Sequence, residues 1–236
     1  MSIAVAGIVL LLALIAGTGS FVATPYIEHA KNRNGKDQAR DKLAPATAFA
    51  SFFRTSNWKQ WSLVIVGSLL CAISVYQLYH SGMSAIELCK HSAVALFLQS
   101  VMIIDWKTHL IPNRLVLALV GIGTLLIAIE MILYRTEVLR PLLMSVAGLL
   151  CCLVLFYILS RLTKDGISMG DVKLVAAMGW VLGVSTTLFA VFFAMLLCTI
   201  AAIFLLLSKK KNKSDRIAFG PFLFFGYIVF LMLISL

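Results

Sequence analysis

Apolar residues in this chain do not alternate with polar ones; they run in blocks, and the polar positions gather in the gaps between them. The blocks fall at about 3–24, 61–79, 86–104, 115–133, 141–160, 172–184, 186–207 and 217–236. Most are close to the roughly 20 residues that an α-helix needs to cross the hydrocarbon core of a bilayer. The pattern predicts an all-α fold: a polytopic membrane helix bundle of about eight transmembrane helices, with six to eight as its range. The sixth block is short, and is expected to be tilted, broken or partly interfacial. No internal repeat is visible, so residues 1–236 read as a single integral-membrane domain whose one long loop spans about 25–60. The second half of that loop, Leu43 to Trp61, is aromatic and apolar. It reads either as an amphipathic helix lying on the membrane or as a linker ending in an aromatic belt. No Lys or Arg precedes the first block, which predicts a retained helix and not a cleaved signal peptide.

Composition sharpens this picture. The chain is 61% hydrophobic and 13% charged, too little charge to cover a large soluble domain. Its formal net charge of +10 would suggest nucleic-acid binding in a soluble protein. Here the distribution says otherwise. If the 25–60 loop is cytoplasmic, alternation puts the connections near 105–114, 161–171 and 208–216 on the same side. Those four segments and their flanks hold all the Lys and Arg except Lys90, Arg135 and Arg140. So strong an asymmetry is the positive-inside signature. It predicts a plasma-membrane protein with these loops in the cytoplasm and both termini opposite, with the lipid bilayer and no nucleic acid as partner. The run Lys209-Lys210-Lys211-Asn212-Lys213 is part of that signature. Five cysteines (Cys71, Cys89, Cys151, Cys152 and Cys198) form no Cys-x-x-Cys pair and read as small buried hydrophobes. The four histidines are scattered, so no metal site is expected.

The carboxylates carry the chemical information. Of ten acidic residues, seven fall in loops or near the outer end of a span. Asp105, Asp165 and Asp171 remain. Asp105 ends the third apolar block and Asp171 opens the sixth, so both reach the same membrane face at similar depth. Ionisable side chains so placed are costly and face a protein interior or a water cavity. Two carboxyls about 3 Å apart cannot both ionise easily: the ionised one can take a proton from water while the protonated one polarises a scissile carbonyl. The bland alternative is a helix cap or an interfacial charge. It is reasonable for Asp171, which directly precedes a helix, and poor for Asp105, which opposes the helix dipole near a C-terminal end. Around the pair, Gly170 is expected to leave room for a peptide backbone. Pro112 is expected to restrain the turn, and Asn113 to cap the next helix. Lys107 and Lys173 read as topological charges. Gly220-Pro221 is expected to break the last helix beside the site and expose backbone to an extended substrate.

Three segments together carry a family resemblance. Asp105-Trp106-Lys107-Thr108-His109-Leu110-Ile111-Pro112-Asn113-Arg114-Leu115 resembles the first aspartate motif of the type IV prepilin peptidases and preflagellin peptidases, membrane aspartyl proteases of the GxGD type. Ser168-Met169-Gly170-Asp171-Val172-Lys173-Leu174 resembles their second motif, and Ala218-Phe219-Gly220-Pro221-Phe222-Leu223 the segment that opens their last helix. The matches come in the family's order and cover roughly residues 100–230. The resemblance implies a membrane aspartic endopeptidase with Asp105 and Asp171 as catalytic pair. Ser168, Gly170, Lys173, Thr108, Pro112, Asn113, Gly220 and Pro221 support it or contact substrate. It implies substrates of the prepilin or preflagellin kind, cut at the cytoplasmic membrane face after a short basic leader. On charge alone, and not from the resemblance, Asp165, Asp37 or Asp41 are candidate contacts for that leader.

The chain departs from the family pattern in places. Ser168 stands where the motif has its first Gly, and Ala218 where Pro is common. The 25–60 loop has no Cys, which excludes the zinc-bound loop of many bacterial members. N-methylation of the product is left open, so S-adenosylmethionine enters only with such an activity and no other cofactor is expected. Two other classes compete: a proton-coupled transporter, which wants its carboxyls at mid-bilayer, and an inactive pilus-assembly scaffold.

Overall fold

A computed structural model describes residues 58–108, 111, 113–133, 139–163, 167–207 and 218–235. The expected first span, the 25–57 part of the basic loop and the Lys209–Lys213 run lie outside the described residues. Seven α-helices follow one another and no strand occurs among the described residues: α1 Trp58–His80, α2 Ala85–Thr108, α3 Asn113–Leu133, α4 Leu139–Leu162, α5 Met169–Leu182, α6 Val184–Leu207 and α7 Gly220–Ile234. They correspond one for one to the second to eighth apolar blocks, with ends moved by a few residues. Four carry stretches long and apolar enough to cross a membrane, Ala85–Trp106, Leu115–Leu133, Leu139–Leu162 and Val184–Phe204. The protein is a polytopic helical bundle.

Burial sorts the helices. Of the α2 span 72% is buried, against 22% or less in the spans of α3, α4 and α6. Helix α2 is therefore central, packed against α1, α3, α5 and α7. The outer helices turn Leu117, Leu125, Leu143, Leu150, Phe189 and Phe192 outward, as surfaces solvated by lipid should. Helix α5, at 14 residues, is about 21 Å long, short of the roughly 30 Å of a hydrocarbon core. It is continuous, not broken. It stops at Gly183, whose φ of 80° lies in the left-handed region that favours glycine, and whose N–H bonds back to Gly179 O at 2.9 Å. Helix α6 starts at the next residue.

Without water, helices in lipid associate through close packing and polar side chains. Both occur here. A Cβ placed on Gly148 of α4 would lie 2.1 Å from the carbonyl oxygen of Gly179 in α5, and one on Gly179 would lie 2.4 Å from Gly148 O. The two backbones touch. Gly226 of α7 meets the backbone of Ala194 in α6 as closely. Polar links cross the bundle as well. Gln99 Nε2 donates to Ser68 Oγ at 3.0 Å, joining α2 to α1. His91 Nδ1 lies 2.9 Å from the Tyr227 hydroxyl, joining α2 to α7. Trp180 Nε1 donates to Thr124 Oγ1 at 3.0 Å, joining α5 to α3. Lys90 pairs with Glu130 across α2 and α3.

The α4–α5 contact gives a sharp test. Gly148→Ala should destabilise the protein by about 3 kcal/mol, because backbone cannot yield as a side chain can. Gly121→Ala, whose Cβ would meet nothing within 4 Å, should be neutral or slightly stabilising. Thermal unfolding in detergent compares them; equal melting temperatures would mean the two helices do not approach at Gly148.

Candidate active site

Asp105 lies in the last turn of α2, three residues before its end at Thr108, where the helix dipole is unfavourable to a carboxylate. It is nevertheless buried, 5% exposed. The compensation comes from another helix. Helix α7 begins at Gly220, with Pro221 in its first turn, a position that proline suits. The first amides of a helix have no partner within it, and the Gly220 N–H donates to Asp105 Oδ2 at 2.7 Å. The approach depends on glycine, since a Cβ there would sit 2.9 Å from both Cβ and Oδ2 of Asp105. The sequence reading gave this exposed backbone to a substrate; in the structure the Gly220 amide is directed at Asp105.

Asp171 is buried too, 6% exposed, and sits in the first turn of α5. It is not the N-cap. Ser168 is, with φ −72° and ψ 150°, and Asp171 occupies the third helical position of a capping box. The Asp171 N–H donates to Ser168 Oγ at 3.2 Å. In return Asp171 Oδ2 accepts the Ser168 N–H at 3.1 Å and the Ser168 hydroxyl at 2.7 Å. The φ of Ser168 is one that any residue adopts, so a Ser in place of the motif's first Gly carries no backbone strain here. Sequence reasoning passed over this cap, although Ser-x-x-Asp ahead of an apolar run is its signal.

The tertiary fold brings the two aspartates together at one end of the bundle, close enough for the charge of Asp105 to act on Asp171. Asp171 lies outside the four long spans, and its carboxyl is pushed up to about 6. Burial is the largest cause. The Ser168 hydroxyl opposes it, the Asp105 charge adds to it, and the Ser168 amide opposes it again. Cys198 of α6 also feels the charge of Asp171, a neighbour that sequence spacing gave no means of finding.

The supporting residues are placed less uniformly. Gly170 does not face open space: a Cβ there would meet the Ile111 side chain at 3.2 Å, so Ile111 fills the room expected for a peptide. Asn113 is the first residue of α3 and not a cap ahead of it. Its Oδ1 accepts from Lys173 Nζ at 3.3 Å, an exposed contact that ties the starts of α3 and α5. Thr108 ends α2, but its side chain lies outside the described residues, as do Pro112, Asp165, Asp37 and Asp41. Among the described residues no three His, Cys, Asp or Glu side chains converge to hold a metal ion. What does converge is a pair of buried carboxyls, each with Oδ2 held by donors at a helix N-terminus. The negative charge of one disfavours ionisation of the other, which is the electrostatic condition for one carboxyl to act as acid and the other as base.

Known proteins carry the same arrangement of sequence. The model of the type IV leader peptidase family matches residues 92–203, a stretch that holds both aspartates. Over 177 residues the chain is 30% identical to the prepilin leader peptidase/N-methyltransferase of Xanthomonas campestris pv. campestris, a match covering 72% of this chain and 58% of that protein. The chain thus spans less than two thirds of the length of that relative. No solved structure matches it. The family expected from the Asp105, Asp171 and Gly220 segments is the one whose model covers both aspartates, and the chain belongs to the type IV leader peptidase family.

Proposed function

We propose that this protein is a membrane aspartic endopeptidase that removes a short basic leader from prepilin-like or preflagellin-like precursors, with Asp105 and Asp171 as the catalytic pair. The observation that carries the reading is the meeting of two buried carboxyls at one end of the bundle, each oriented by donors at a helix N-terminus. The shared negative charge disfavours double ionisation. One carboxyl accepts a proton from the attacking water as it adds to the scissile carbonyl. The protonated partner donates to the carbonyl oxygen and stabilises the tetrahedral intermediate. Return of a proton to the leaving amine completes hydrolysis. No cofactor enters this scheme.

The basic residues around the connections at this end favour a cytoplasmic orientation in the plasma membrane. A leader still in the cytoplasm, joined to an apolar helix in the bilayer, would present its junction at this level. The position of both aspartates near helix ends, and not halfway along them, favours proteolysis over a transmembrane proton relay.

The test is cleavage in membranes of a co-expressed precursor with a basic leader, a Gly at the junction and an apolar helix. Asp105→Asn and Asp171→Asn should each insert to wild-type levels and lower cleavage by at least about a hundredfold. Wild-type cleavage by either stable variant would overturn the pair. Gly220→Ala should lower cleavage about ten- to a hundredfold, because its Cβ would displace the Asp105 carboxyl by a fraction of an ångström to an ångström. A Gly220→Ala enzyme as fast as Gly121→Ala would show that the amide does not position Asp105.

A further inference from the structure

The hydroxyl of Ser168 stands where the family motif has a hydrogen atom, and it makes a 2.7 Å hydrogen bond to Asp171 Oδ2. We propose that Ser168 is a positioning residue for Asp171: it holds Oδ2 from two donors and stabilises the ionised carboxylate. This rests on the aspartic reading above and adds to it a control on protonation that a glycine at the same place would lack.

The geometry supports each part. Oδ2 receives both the hydroxyl and the amide of Ser168, and hydrogen bonds to a charged acceptor are stronger than neutral ones. Oδ1 accepts no hydrogen bond among the described residues, so Oδ2 is the oxygen that the cap fixes. Ser168 is itself anchored from the neighbouring residue, since Ser160 Oγ of α4 donates to Ile167 O at 3.0 Å. Backbone geometry does not explain a serine here, because its extended φ and ψ suit any residue. Helix capping explains it only in part, because glycine is nearly as good an N-cap as serine.

Among the described residues, other groups approach Asp171 from several elements. Asp105 approaches from α2 and Cys198 from α6. Lys173, on α5 itself, is exposed and directed to Asn113 of α3. On α4, Arg161 bonds the Tyr157 hydroxyl. From α7 the approach is through the Gly220 amide, which is engaged with Asp105. The side chains of Lys107, Lys164 and Asp165 lie outside the described residues. The sign for Asp171 is definite: losing a donor to its ionised form raises its pKa.

The experiment compares wild type with Ser168→Ala, Ser168→Gly and Ser168→Thr, using the full chain in detergent micelles. The probe is a synthetic peptide with a basic leader, a Gly at the junction and an apolar helix, and cleavage is followed as a function of pH. The Ala and Gly variants should move at least one limb of the profile upward by about one pH unit, and the Thr variant should keep the wild-type profile. Infrared titration of the carboxyl stretch that disappears in Asp171→Asn reads the same shift without requiring turnover. Ala and Gly profiles that superimpose on wild type in both measurements would reduce Ser168 to a helix cap and overturn the proposal, as would a Thr variant that shifts like Ala. Undiminished cleavage by Asp171→Asn would instead overturn the aspartic reading, while the infrared titration still decided whether Ser168 tunes this carboxyl.

Discussion

Two carboxyl groups buried in an apolar bundle are the costliest feature of this protein, and the interior is arranged around making them tolerable. An isolated charge in such surroundings is strongly disfavoured. The structure answers with the one polar resource that every helix possesses, the unpartnered amides and positive dipole end of its N-terminus. Helix α5 provides it to Asp171 through the Ser168 cap, and helix α7 provides it to Asp105 through Gly220.

Close packing then holds those two N-termini in place. The α4 and α5 backbones touch at Gly148 and Gly179, and α6 and α7 at Gly226 and Ala194. These contacts set the height and rotation of α5 and α7 against their neighbours, and so the direction in which Ser168 and Gly220 present their donors. Helix α2, the most buried of the long spans, carries Asp105 and packs against both α5 and α7. The residues that make the site are thus on interior helices, while α3, α4 and α6 present much of their surface to lipid. The shortness of α5 fits the same scheme: a helix that does not reach across the whole core starts its first turn, and Asp171 with it, among its neighbours and not beyond them.

The same packing explains why the site is polar at one end only. At the other end Lys90 and Glu130 neutralise each other, and His91 and Tyr227 satisfy each other within the bundle. These pairs bind helices together.

Much of this was legible in the order of residues, for a physical reason. Membrane helices are selected by length and apolarity, both local properties, so seven apolar blocks gave the seven described helices with ends off by a few residues. Asp105 stood out because a carboxylate near a helix C-terminus is locally unfavourable without a compensating partner, and Asp171 because it reaches the same membrane face at similar depth. The partners themselves were not legible. The bond from Gly220 to Asp105 joins residues 115 positions apart, and the approach of Ile111 to Gly170 and of Cys198 to Asp171 depends on helix rotation, which apolarity on all faces leaves unspecified. Even the Ser168 cap, local as it is, was masked by its role as a substituted glycine. Sequence alone determined which helices form and which charges are anomalous; only the tertiary structure decided what each anomalous charge leans on, because those partners are set by close backbone packing between distant segments.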